Sequence, residues 1–216
     1  MSLVTMIPQL AEGMLTSIMI FALTLLFSLP LGLVVAGGRK SNYRIISMIT
    51  RAYISIMRGT PLMLQLIVIF FAPYYIFGFS LSSDYRMIAV IIAFSINYAA
   101  YFGEIYRGGI ESIPKGQYEA AEVLGYTRIQ TFFRIILPQV IKTVLPSITN
   151  EVITLVKDTS LSFVIAVPEM FTIAKQIAAA DASINALLVA GIFYYVFNVV
   201  VARVMVHIEQ KLDYYE

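Results

Sequence analysis

The 216-residue sequence has no cysteine and no tryptophan, one histidine, and only 13% charged residues. The missing cysteines exclude disulfides, thiol catalysis and cysteine-ligated metals. Soluble domains carry about 25% charged residues, so the shortage of charge excludes an ordinary soluble globule. A net charge of +2 is too small to point to nucleic acid. The opening MSLVTMIPQLAEG contains no Lys or Arg. It lacks the basic start of a secretory signal, so the first apolar segment is expected to be a retained span. No G-x-x-x-x-G-K-[ST] occurs. GGIESIPKG (108–116) has glycine and lysine at the wrong spacing and follows no strand. Nothing in the sequence can hydrolyse ATP.

What is present is oil. Hydrophobic residues make up 59% of the chain and the mean hydropathy is +0.82. A membrane-spanning helix needs about 20 apolar residues. Segments 14–36, 61–81, 87–103 and 182–202 carry no charge; Pro73 is placed to end or kink the second. A fifth stretch, 140–156, is interrupted by Lys142 and Glu151. The expected fold class is all-α: a polytopic membrane protein of about five spans. It reads as a single transmembrane domain over 1–216, with no internal repeat. Arg39, Lys40, Arg44 and Arg51 fall in the first connection. Arg107, Lys115, Arg128, Arg134 and Lys142 fall in and around the middle one, and Arg203 and Lys211 in the tail. The positive-inside rule then puts the N-terminus outside and the basic connections and C-terminus in the cytoplasm.

EAAEVLGYTRIQTFFRIILPQ (119–139) is a polar interlude in this oily chain. Pro114 suits a helix start and Gly125 a stop, giving about two to three turns. Ala120, Ala121 and Gly125 give it a face with almost no side chain, suited to the groove of another protein. A helix resting on lipid instead wants basic residues beside bulky apolar ones. Glu119 and Glu122 would be repelled by an anionic membrane surface.

Ionisable residues at membrane depth are costly and are functional suspects. Asn97, Tyr101, Glu104 and Gly108 recur at helical spacing, and so do Ser147, Glu151, Thr154 and Asp158. Two such stripes suggest facing helices along a wet path. The alternative is a structural network, with Lys157 pairing Glu104 or Asp158. Three acids against one base leave an excess of two negative charges, which a cationic substrate would neutralise. Tyr98, Thr159 and Ser160 lie at or near the same stripes and complete the candidate substrate site. Arg58, before Gly59-Thr60-Pro61, would either anchor headgroups or hold a carboxylate. Pro168, after TSLSFVIAV, suggests a re-entrant or gate segment. His207 reads as a solvated tail residue, and the aromatics of 70–79 as an interfacial belt.

EAAEVLG followed by IILPQ resembles the EAA loop of permease subunits of ABC importers. RGTPLMLQL (from Arg58), NYAAYFGEIYRGGIESIPKGQ (from Asn97) and KDTSLSFVIAVPE (from Lys157) resemble the polar amino acid branch of that family. The ordered set covers most of 58–169. The resemblance implies a type I importer fold, dimeric, with a substrate path at the dimer interface. It makes 114–126 a coupling helix, with Pro114, Gly116, Glu119, Ala120, Ala121 and Gly125 docking a separate ATP-hydrolysing subunit. That partner would bind ATP and Mg, leaving no cofactor and no metal in this chain. The other implied partners are a second permease copy (a homodimer favoured over a heterodimer), an extracellular or periplasmic amino acid-binding protein, and the lipid of a bacterial or archaeal cell membrane. The expected cargo is a cationic or polar amino acid: arginine, histidine, lysine or glutamine. The alternative is a stand-alone secondary transporter with Glu104 or Asp158 carrying protons. The missing internal repeat counts against it.

Overall fold

A computed structural model describes residues 3–80 and 82–212, and these are helical almost throughout. The first helix, α1 (Leu3–Arg39), has 37 residues and accommodates Pro8 and Pro30. A turn leads to α2 (Arg44–Gly59). Thr60 and Pro61 are extended before α3 (Leu62–Phe77), and the two helices are bent by 111°. Proline disfavours helix at the residue before it, which explains a break at this point.

Here the sequence expectation needs correcting. Segment 61–81 is not one span: α3 has 16 residues, about 24 Å, short of the roughly 30 Å hydrocarbon core. Only α2 and α3 together are long enough. Pro73 lies inside α3 without ending it, and Leu81 lies outside the described residues. The first connection is correspondingly shorter, because Arg44 and Arg51 sit on α2. That helix has three faces. Ile45, Ile49 and Ile56 are exposed along one; Arg44, Arg51 and Arg58 recur every seven residues along the next. The third packs inward: Tyr53 donates to Ile96 O and Ile54 is buried.

Ser82 caps α4 (Ser83–Ser112) by accepting from Tyr85 N. The short α5 (Lys115–Val123) follows. A capping box of Thr127 and Gln130 opens α6 (Arg128–Thr131). One π-helical turn, Phe132–Ile136, joins it to α7 (Leu137–Asp158). Thr159–Ile165 is a 3-10 helix that stops at Ala166, φ 57°. Then come α8 (Met170–Ala180) and α9 (Asn185–Leu212). Among the described residues four segments are long and apolar enough to cross a membrane, or five if the bent pair is one span.

The core forms where backbones approach closely. A Cβ on Gly103 would meet Val35 Cγ1 at 2.5 Å, and one on Gly32 would meet Phe102 Cβ at 2.7 Å. Glycine therefore lets α1 and α4 lie in near-backbone contact. Gly109 does the same for α7, where Val144 Cγ1 fills the place of the missing Cβ. Around these seams Leu66, Phe94, Phe102 and Leu155 are fully buried. The flank of α9 is bare: Leu188, Ile192, Tyr195, Val196 and Val200 are exposed.

Candidate functional site

Two places carry the functional expectations. The first is α5. Pro114 is its N-cap, and nine residues make about two and a half turns. Gly116, Glu119 and Ala120 are exposed, whereas Ala121 is buried against the body at 1% exposure. Gly125 lies beyond the helix at φ +78°. Its N–H donates to Glu122 O and that of Tyr126 to Ala121 O. The small-residue face expected from sequence is thus split. Ala121 seats the helix, Gly125 turns the chain in a left-handed conformation that glycine adopts freely, and Ala120 and Gly125 are exposed. Val123 and Leu124 are also exposed, at 88% and 72%. The outward surface therefore mixes Ala120 and these two bare aliphatic side chains with the exposed Lys115, Gln117, Tyr118, Glu119 and Glu122.

The second place lies between α4 and α7, where parts of the two polar stripes meet. Glu104 and Gly108 line one small cleft of about 240 Å³ with Thr143 and Ser147. Further along, the Tyr98 hydroxyl donates to Asp158 Oδ2 at 2.7 Å. Tyr101 is tilted against Tyr98, with ring centroids 6.3 Å apart. The Arg58 guanidinium sits over the Tyr101 ring, 5.2 Å from its centroid, a cation–π contact. Glu151 lies within electrostatic range of Tyr98, Arg58 and Asp158. Arg58, Tyr101, Tyr98, Asp158 and Glu151 therefore form one cluster drawn from α2, α4 and α7.

Four expected site residues make bonds of their own. Glu104 does not pair with Lys157: Arg107 clamps it with two bonds of 2.8 and 3.0 Å, and Arg39 stands 3.6 Å away. The excess negative charge falls to Glu151 and Asp158, with Arg58 opposite. Asn97 is buried and donates to Met57 O and Gln65 Oε1, tying α4 to α2 and α3. Thr159 is also buried, and its hydroxyl donates to Val156 O. Ser160 is half-buried and donates to Lys157 O.

Glu169 was missed from sequence. It has no exposed surface, it caps α8, and it accepts bonds from Phe171 N, Thr172 N, Thr172 Oγ1 and Tyr194 OH, all within 2.9 Å. The available signal was an acid at a helix start before the apolar MFTIAKQIAAA. The segment after Asp158, where Pro168 suggested a re-entrant or gate segment, breaks at Ala166 and resumes as a short helix. Its 11-residue α8 is about 16 Å long, too short to cross.

Residues 28–214 match the model of the family described as binding-protein-dependent transport system inner membrane component. The chain belongs to this family of importer permeases. It is 37% identical over 211 residues to the L-cystine transport system permease TcyB of Bacillus subtilis (strain 168), covering 96% of this chain and 88% of that protein. It is 35% identical to the arginine transport system permease ArtQ of the same organism, covering 95% and 93%. Other permease relatives are named for glutamine and for glutamate/aspartate. Among solved structures, an amino acid ABC transporter with histidines superposes with a TM-score of 0.87 at 27% identity, covering 98% and 99% of the two chains. The permease is a polar amino acid ABC importer subunit, a transport component rather than an enzyme. The lone ion-driven transporter does not survive this membership.

Proposed function

We propose that the permease forms half of the substrate path for a cationic amino acid. The cluster of Arg58, Tyr101, Tyr98, Asp158 and Glu151 carries the proposal. Its charges are two carboxylates and one guanidinium, so the cluster is bipolar, with a net negative balance. Arg58 would take the substrate α-carboxylate. Glu151 and Asp158 would take the α-ammonium and the side-chain cation. Ser160 and the turn at Thr159 would add polar contacts beside them. Half-buried charges interact in a lower effective dielectric than water, so a second substrate cation gains more here than at a surface. A neutral amino acid would leave one carboxylate uncompensated. Lys157 is exposed beside Asp158 and is screened by solvent.

In this scheme two copies of the chain face each other across the path. α5 docks in a cleft of a separate ATPase subunit, which binds ATP and Mg. Closure of the ATPase pair would draw the two α5 helices together and turn the path outward. A binding that differs between two states is what converts nucleotide energy into alternating access. The basic residues of the connections support α5 and the C-terminus in the cytoplasm and the N-terminus outside.

The test is substrate-selective uptake. Glu151→Gln and Asp158→Asn keep shape and remove charge. Arginine uptake should lose about tenfold or more in half-saturation, the cost of one charge-assisted bond, and glutamine uptake far less. Equal losses for both would make the acids structural and end the cationic assignment. Reporters fused at Ser41 or within 110–136 should read cytoplasmic, and one near Asp181 external. An external signal at Ser41 would invert the topology and remove α5 from any ATPase.

A further inference from the structure

Glu169 is the only fully buried carboxylate among the described residues, and the transport scheme above has no use for it. Its bonding exceeds the needs of a helix cap. Oε1 accepts from Thr172 N at 2.7 Å and Thr172 Oγ1 at 2.9 Å, which suffices to cap α8. Oε2 accepts from Phe171 N at 2.8 Å, but also from Tyr194 OH at 2.8 Å and Ser17 Oγ at 3.4 Å. These last two belong to α9 and α1. A carboxylate offers about four lone-pair sites, and here they are filled by donors from three helices. The Tyr194 hydroxyl is in turn flanked by the hydroxyls of Ser17 and Thr159. Thr159 is itself buried and directly follows Asp158, the partner of Tyr98.

We propose that Glu169 is a positioning residue: through Tyr194 it fixes the Asp158–Thr159 corner against α1 and α9. Its bonds to α8 are common to any good cap; its bond to Tyr194 sets where the end of α7 stands. The consequence for substrate rests on the path reading above, and the placement of the corner does not.

The two roles separate by substitution. Aspartate is among the best helix caps, so Glu169→Asp keeps the α8 contacts. Its carboxylate is one methylene shorter, which withdraws it from Tyr194 by about 1.5 Å. Tyr194→Phe removes the same bond from the other side. The chain has no cysteine, so Ser160→Cys gives a single labelling site at the corner. The assembled transporter in native membranes, carrying Ser160→Cys, is treated with a small maleimide and labelling is timed on this chain's band. The rate should rise about tenfold in Glu169→Asp and in Tyr194→Phe, the loss of one bond to a charged group, and the double variant should be no faster than either. An unchanged rate in Tyr194→Phe, or a double variant near the product of the two, overturns the proposal. Co-purification of the ATPase checks assembly. If Glu169→Asp fails to assemble, Tyr194→Phe alone decides by the same criterion. The half-saturation for arginine uptake is measured in parallel. A faster label with unchanged uptake keeps Glu169 as the positioner and sinks the substrate site at the corner instead.

Discussion

Two of the short helices in this chain, α5 and α8, are opposites. α5 has nine residues and α8 eleven. In α5 a single side chain, Ala121, is buried; in α8 Met170, Thr172, Ala174 and Ile177 are. The first is seated by a methyl group and ended by a left-handed glycine. The second is fastened by a saturated buried carboxylate to α1 and α9. A weakly seated, exposed helix can give its surface to a partner. A clamped one serves to hold its own neighbours. Length and helical content do not tell the two apart; the polar bonding at their ends does.

The largest expected effect sharpens this contrast at α8. Glu169→Ala strands two backbone N–H groups and the hydroxyls of Thr172 and Tyr194 in the interior. Each unsatisfied buried group costs about 1–3 kcal/mol, so the detergent-solubilised permease should lose about 3 kcal/mol or more. A heat-challenge assay reading monodisperse protein measures this. Recovery near wild type would place α8 in the same loose class as α5. Next comes Gly125→Leu. A left-handed leucine costs about 1–2 kcal/mol, and the strain falls on the loop beyond α5. The permease should remain folded, while ATPase co-purification and transport drop by about tenfold. Gly125→Asn should retain more of both, because asparagine tolerates this conformation. If leucine and asparagine behave alike, the backbone is not what matters there. The smallest effect separates adjacent alanines. Ala121→Leu overpacks a closed site and should cost about 1–3 kcal/mol in the permease alone. Ala120→Leu, on the open face, should stay within about 0.5 kcal/mol and act only on docking. Equal destabilisation by the two would erase the distinction between seat and surface.

The long apolar runs announced α1, α4 and α9, because uncharged stretches near 20 residues leave few alternatives to a span. α2 was hidden for the opposite reason. Arg44, Arg51 and Arg58 recur every seven residues and leave no uncharged window, so a hydropathy scan passes over it. The visible signal was periodic: Ile45, Ile49 and Ile56 share a stripe that a basic connection has no reason to keep. The two polar stripes were legible from spacing, but which members are free was not. Asn97 turns inward to Gln65, and Glu104 turns to Arg107 one helical turn away. Periodicity fixes a face only to within a neighbouring position or so, and such choices depend on what the next helix presents. Glu169 was harder still, since an acid after a proline reads as a loop residue until the helices around it are known.

The glycine seam between α1 and α4 has a mechanical consequence. With Val35 pressed onto Gly103 and Phe102 onto Gly32, sliding either helix along the other would drive a side chain into backbone. The two helices behave as one strut, stiff in shear, that carries the polar stripe of α4 with it. A displacement delivered at the α5 end would then reach Tyr98 and Tyr101 by rotation of a whole beam. The slack is left to the non-helical break at Thr60–Pro61.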